Sequence, residues 1–118
     1  MKNENLKART RDYALRIIRL VETLPSNRTT DVIAKQLLRC GTSVGANYRA
    51  ACRAKSNADF IAKMGTVEEE ADESLYWMEL LISGDIVPES RLSDLMNEGN
   101  EIVAIIVASI RTARKTKA

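Results

Sequence analysis

Glu70, Glu73, Tyr76 and Trp77 are the residues whose types and spacing come nearest to doing chemistry. On a helix, Glu73 and Trp77 stand one turn apart and Glu70 and Trp77 two turns, so the three share a flank. A carboxylate pair of this kind can hold a cation or divide acid and base roles. Its commoner use is to accept hydrogen bonds from an arginine on a neighbouring helix. The chain contains no His. That removes the usual general base, the Ser-His and Cys-His nucleophile pairs, His-containing zinc sites and the Glu-x-x-His pairs of di-metal bundles. No glycine-rich phosphate loop follows a strand, because no strand is predicted. The reading is therefore a non-enzyme, with no catalytic residue, no metal ligand set and no cofactor.

Cys40 and Cys52 belong to one predicted helix, where twelve residues separate them by about 18 Å, beyond bridging distance. Two unpaired thiols suit a reducing compartment. Met1 to Leu6 lacks the apolar core of a signal peptide, and the apolar run Ile102–Ile110 is too short to span a bilayer. A cytoplasmic protein without a membrane segment is expected.

Positive charge is the second chemical feature. Lys35, Arg39, Arg49 and Arg53 fall within an arc of about 80° over about 27 Å of one predicted helix. Such a stripe can follow a phosphate backbone. It can equally pair with the acidic helix that follows, through Glu68, Glu69, Glu70, Asp72, Glu73 and Glu79, and so fix helix order. The formal charge of +2 conceals this segregation: residues 1–63 carry thirteen Lys/Arg against five Asp/Glu, and residues 64–110 one against eleven. No aromatic residue interleaves the stripe, so base stacking is not its purpose.

The elements that must position these residues are helical. The 118 residues, 45% hydrophobic with two Pro and five Gly, suit one α-domain, and no alternating β-pattern appears. Apolar spacing predicts helices at about 6–24, 30–55, 57–82 and 88–114. Pro25 ends the first, and Thr29 or Thr30 caps the second. Ser56 or Asn57 opens the third, and Gly84 closes it in a left-handed conformation. Pro88 opens the fourth, and the tail Lys115–Ala118 is expected to fray. The second helix should run on through Gly41 and Gly45, whose smallness admits a neighbour. In the third, Phe60, Met64, Val67, Ala71, Ser74, Met78 and Leu81 form a heptad seam. Short connectors then favour an antiparallel up-down-up-down four-helix bundle as one domain. The fourth helix is apolar nearly all round, which assigns Ile102, Ile105, Ile106 and Ile110 to a homo-oligomer interface, with Leu15 and Ile18 able to contribute.

The run from Lys35 to Arg49, with Arg39-Cys40-Gly41-Thr42-Ser43-Val44-Gly45-Ala46-Asn47 at its centre, resembles the four-helix-bundle proteins encoded within intervening sequences of bacterial 23S rRNA genes. So do Ser56, Asp59-Phe60-Ile61, Lys63-Met64 and the segment Glu70-Ala71-Asp72-Glu73-Ser74-Leu75-Tyr76-Trp77-Met78. The resemblance covers about Tyr13 to Arg114. It implies a left-handed bundle assembled into a ring, a pentamer. Accessory proteins of diversity-generating retroelements are similar in fold; they bind nucleic acid and partner with a reverse transcriptase. No enzymatic activity is established for the ribosomal family. Ala50 and Glu69 depart from its pattern, which often has an acidic residue at the first position and a basic one at the second; Glu69 makes the third helix more acidic. Carried over by position, Arg39, Ser43, Asn47, Glu70, Glu73 and Trp77 are the motif residues, read here as a polar network between two helices. Two functions stay open: an oligomeric adaptor holding RNA or DNA through Lys35, Arg39, Arg49 and Arg53 together with the basic residues of the first helix and the tail, or a protein-interaction scaffold whose charges pair internally.

Overall fold

The computed structural model describes residues 2–116, with side chains from residue 5 onward. Lys117 and Ala118, half of the tail expected to fray, lie outside the described residues; Lys115 is still helical. The elements are α1 (Lys2–Glu22), α2 (Arg28–Ala51), α3 (Asn57–Ser83) and α4 (Glu89–Lys115).

The helix boundaries follow local chemistry. Asn27, rather than either threonine, caps α2: its side-chain oxygen accepts from the Thr30 amide at 2.9 Å, and Thr30 itself is buried. Ser56 caps α3 by accepting from the Asp59 amide at 3.0 Å, as predicted. The second helix stops at Ala51, not at residue 55. Cys52, Arg53 and Ala54 tighten into a turn that satisfies the last carbonyls before the chain reaches the Ser56 cap. At the end of α3 the left-handed residue is Asp85 (φ 59°), not Gly84 (φ −84°). Gly84 is nonetheless placed where a Cβ would lie 3.0 Å from the Leu80 carbonyl oxygen.

The helices pack in the cyclic order α1–α2–α3–α4, each against its chain neighbours and α4 back on α1. Neighbours are antiparallel. Thr10 and Ile17 of α1 lie beside Gly45 and Gly41 of α2, and the Asn57 amide donates to the Ala113 carbonyl at 2.8 Å. Arg9 reaches Glu98, while Thr23 at the other end of α1 meets Arg91. The result is an antiparallel four-helix bundle measuring 51 × 23 × 21 Å.

α2 is unbroken through Gly41 and Gly45, and both glycines let α1 approach: a Cβ on Gly41 would collide with Ile17, and one on Gly45 would come 3.2 Å from the Thr10 hydroxyl. The α3 seam is buried from Met64 to Leu81, with Phe60 half-buried at its start. Ile102, Ile106 and Ile110 lie inside the same core. This corrects their assignment to a subunit interface, since α4 points that stripe at its own bundle, where each residue contributes about 1.5–3 kcal/mol by leaving water. Ile105, half-buried, is the one of the four left near the surface.

Candidate nucleic-acid interface

α2 lies between α1 and α3, so its basic stripe divides. Arg39 turns to α3. Its guanidinium donates to Glu73 Oε2 at 2.5 Å and to Glu70 Oε1 at 3.2 Å, and its Nε to Gln36 Oε1 at 3.1 Å. The Trp77 indole donates to the same Glu73 oxygen at 2.9 Å. The indole and then the guanidinium hold the Glu73 carboxyl below the usual carboxylate range, and Glu73 raises Arg39 in return. The expected interhelical network therefore forms from Arg39, Glu70, Glu73 and Trp77, with Gln36 added. Ser43 and Asn47 do not join it. Ser43 donates back to the Arg39 carbonyl at 2.7 Å and Asn47 to the Ser43 carbonyl at 2.8 Å, the local bonding that short polar side chains make inside helices. The carboxylate pair is closed by arginine, and no group of three His, Cys, Asp or Glu among the described residues could hold a metal.

Arg49 and Arg53 turn the other way, toward α1. With Lys7 and Arg11 they line a groove of about 380 Å³. Its floor is small: Ala14 from α1 and Thr42, Gly45 and Ala46 from α2. Four cations and no acid line it, and none of the four makes an ion pair among the described residues. The spacing explains why. Lys7 and Arg11 are one turn apart on α1, Arg49 and Arg53 one turn apart on α2, and the antiparallel packing sets the pairs face to face. Lys35 is exposed toward the far end of α2 and does not line this groove. The sequence groups the basic residues of α1 together and does not single out Lys7 and Arg11. Their four-residue spacing opposite the glycines was the available signal.

Arg9, between them in sequence, faces α4 instead. It makes a two-pronged contact with Glu98 at 2.7 and 2.9 Å and reaches Glu101 at 2.8 Å, and these bonds raise its pKa. α1 thus sends alternate cations to different tasks.

A family model for the 23S rRNA-intervening sequence protein matches residues 2–108. The chain belongs to that family. A protein of unknown function from the S23 ribosomal protein family of Bacteroides thetaiotaomicron has the same architecture. It is 37% identical, with a TM-score of 0.87 over 94% of this chain and 99% of that one. No curated protein matches. The cationic groove and the Arg39–Glu73–Trp77 contact are thus features of a 23S rRNA-intervening sequence family bundle. No helix among its described residues is long and apolar enough to cross a membrane.

Proposed function

We propose that this protein is a non-enzymatic, oligomeric adaptor that holds the phosphate backbone of a nucleic acid, RNA above all, in the α1–α2 groove. The observation that carries this reading is the set of four cations, Lys7, Arg11, Arg49 and Arg53, lining one groove with no acid and no ion pair among the described residues. Phosphate contacts of this kind give affinity without reading sequence. The reading replaces part of the α2 stripe: Arg39 is held by Glu70 and Glu73, and its role is to fix helix register. The absence of His and the closure of the Glu70–Glu73 pair by Arg39 support a non-enzymatic role. Assembly, as a pentamer, is part of the proposal. Ile18 and Leu38, both exposed, are better placed for it than the buried isoleucines of α4.

Fluorescence-anisotropy titration of a structured RNA and a duplex DNA, from low to physiological salt, tests the reading. Log affinity should fall steeply with log salt, and Arg49→Ala/Arg53→Ala should weaken binding. Absence of binding at low salt would leave the second reading, a protein-interaction scaffold. The observation favouring that reading is the internal pairing of Arg9 and Arg39.

A further inference from the structure

Antiparallel packing turns the charge pattern along the chain into a charge pattern along the bundle. Divided at the helix midpoints, one end comprises residues 5–12, 40–69 and 102–116, with ten Lys/Arg and four Asp/Glu. The other end, residues 13–39 and 70–101, has six against eleven. The basic end is where α2 and α4 finish and α1 and α3 begin. At its tip stand Arg53, Lys55, Arg111, Arg114 and Lys115, none in an ion pair among the described residues, while the acid there, Asp59, is held by Lys63 at 2.6 Å.

Two grooves with cations in their lining open at this end. The first is the α1–α2 groove. The second lies between α3 and α4, about 240 Å³, lined by Arg111 and Arg114 together with Gly65 and one acid, Glu68. In a ring of four helices these two grooves are on opposite flanks, across a body 21–23 Å wide. Gly65 differs from the other glycines inside helices: a Cβ there would meet nothing within 4 Å, whereas Gly41, Gly45 and Gly99 each face a side chain of another helix. A glycine inside a helix costs about 1 kcal/mol relative to Ala, and nothing in the bundle occupies the space it leaves. It lets a partner approach the α3 backbone beside the two arginines.

We propose that a nucleic-acid duplex seats end-on at this basic pole, its two phosphate tracks meeting the cations of the two opposite grooves, so that the acidic pole of the bundle projects away from it. The proposal rests on the nucleic-acid reading above and adds the second groove, the duplex and the orientation. A duplex presents phosphates on both sides of its grooves and can touch two separated flanks at once. A single strand would need stacking partners, and this end has none exposed: Tyr48 is buried and Phe60 half-buried, while the exposed Tyr76 sits on the acidic half of α3.

The test is anisotropy titration of a short RNA duplex and of its separated strands, with salt dependence, on the full chain and three double variants. The duplex should bind more tightly than either strand. Arg49→Ala/Arg53→Ala and Arg111→Ala/Arg114→Ala should each lower the steepness of log affinity against log salt by about 2. Arg19→Ala/Arg28→Ala, at the acidic pole, should leave it unchanged. All six side chains are exposed, and circular dichroism of each variant verifies the fold. If Arg111→Ala/Arg114→Ala binds as the parent does while Arg49→Ala/Arg53→Ala is weakened, the pole proposal is overturned and the single-groove reading stands. Equal affinity for the strands, or an equal loss in the acidic-pole variant, also overturns it. Absence of duplex binding with a strand still bound overturns the pole proposal alone, and absence of binding to duplex and strands alike removes both.

Discussion

A side chain on Gly99 would begin 2.7 Å from the hydroxyl of Tyr13, which is fully buried where α1, α3 and α4 meet. That hydroxyl donates to Ser74 Oγ at 2.7 Å, because the Ser74 hydroxyl itself donates to the Ala71 carbonyl at 2.6 Å. The Tyr13 ring thus occupies the space that Gly99 leaves, and its polar end is satisfied across the bundle. Gly99→Ala forces the ring or Leu75 to move, and overpacking of this kind costs about 1–3 kcal/mol. Urea unfolding should show that loss, and a second change, Tyr13→Phe, should relieve only part of it, because it removes the hydroxyl at 2.7 Å but leaves Leu75 Cδ2 at 2.9 Å from the added carbon.

Burial also sets an alkaline limit. Tyr13 is pushed up to about 12 and the Cys40 thiol to about 12, both chiefly by desolvation. In the unfolded chain they ionise near 10 and 9. The unfolded state therefore releases protons first, and stability that is whole below about pH 9 falls as pH rises toward 12. The unfolding midpoint should drop across that window. Cys40→Ala should flatten the drop from its lower end, and a midpoint unchanged to pH 11 would contradict the assignment.

Glu73 works in the opposite direction. Its carboxyl is lowered by the Trp77 indole and by Arg39, so its contribution is present above the ordinary carboxylate pKa and lost as pH falls through the lowered one. Arg39 is half-exposed and solvent screens the pair, so the contribution is small. Glu73→Gln should melt slightly earlier than the parent at neutral pH and identically in acid. The same variant run by sedimentation reads whether this contact also shapes an assembly.

Cys40 and Cys52 give a kinetic prediction. Cys40 is fully buried and its thiol donates to the Leu37 carbonyl at 3.6 Å, whereas Cys52 is exposed at the end of α2. One thiol per chain should react promptly with a thiol reagent, and the second only as fast as the bundle opens. Cys52→Ala should abolish the fast phase and leave the slow one.

Much of this architecture was legible in the sequence because helices announce themselves by period. The α3 seam, the Ser56 cap and the passage of α2 through two glycines all follow from residue spacing. What sequence could not divide was the basic stripe. Arg39 and Arg49 sit on opposite sides of one arc, and which side meets acid depends on which helix lies there, a tertiary fact. The isoleucines of α4 misled for a related reason. An apolar helix tells how much surface will be buried but not by what, and here Ile102, Ile106 and Ile110 are covered by the chain's own core. The basic residues of α1 were legible as a group, but which of them, Lys7 and Arg11, face Arg49 and Arg53 was not, because half of that groove belongs to another helix.

Gly65 and Gly41 should respond to the same substitution with opposite sign. Both lie inside helices, and replacing Gly by Ala there relieves the backbone by about 0.5–1 kcal/mol. At Gly65 the new methyl meets nothing within 4 Å, so Gly65→Ala should raise the urea midpoint of the free protein. At Gly41 it would run into Ile17, with the Ile17 Cγ2 also only 3.1 Å away, in the contact between α1 and α2. Ile17 is fully buried, so its Cδ1 can move only by displacing neighbouring core side chains, and on that ground the packing cost should exceed the backbone gain and Gly41→Ala should lower the midpoint. A gain at both positions would mean that α1 can move away from α2 at no cost, and the tight packing assigned to this helix pair would be wrong.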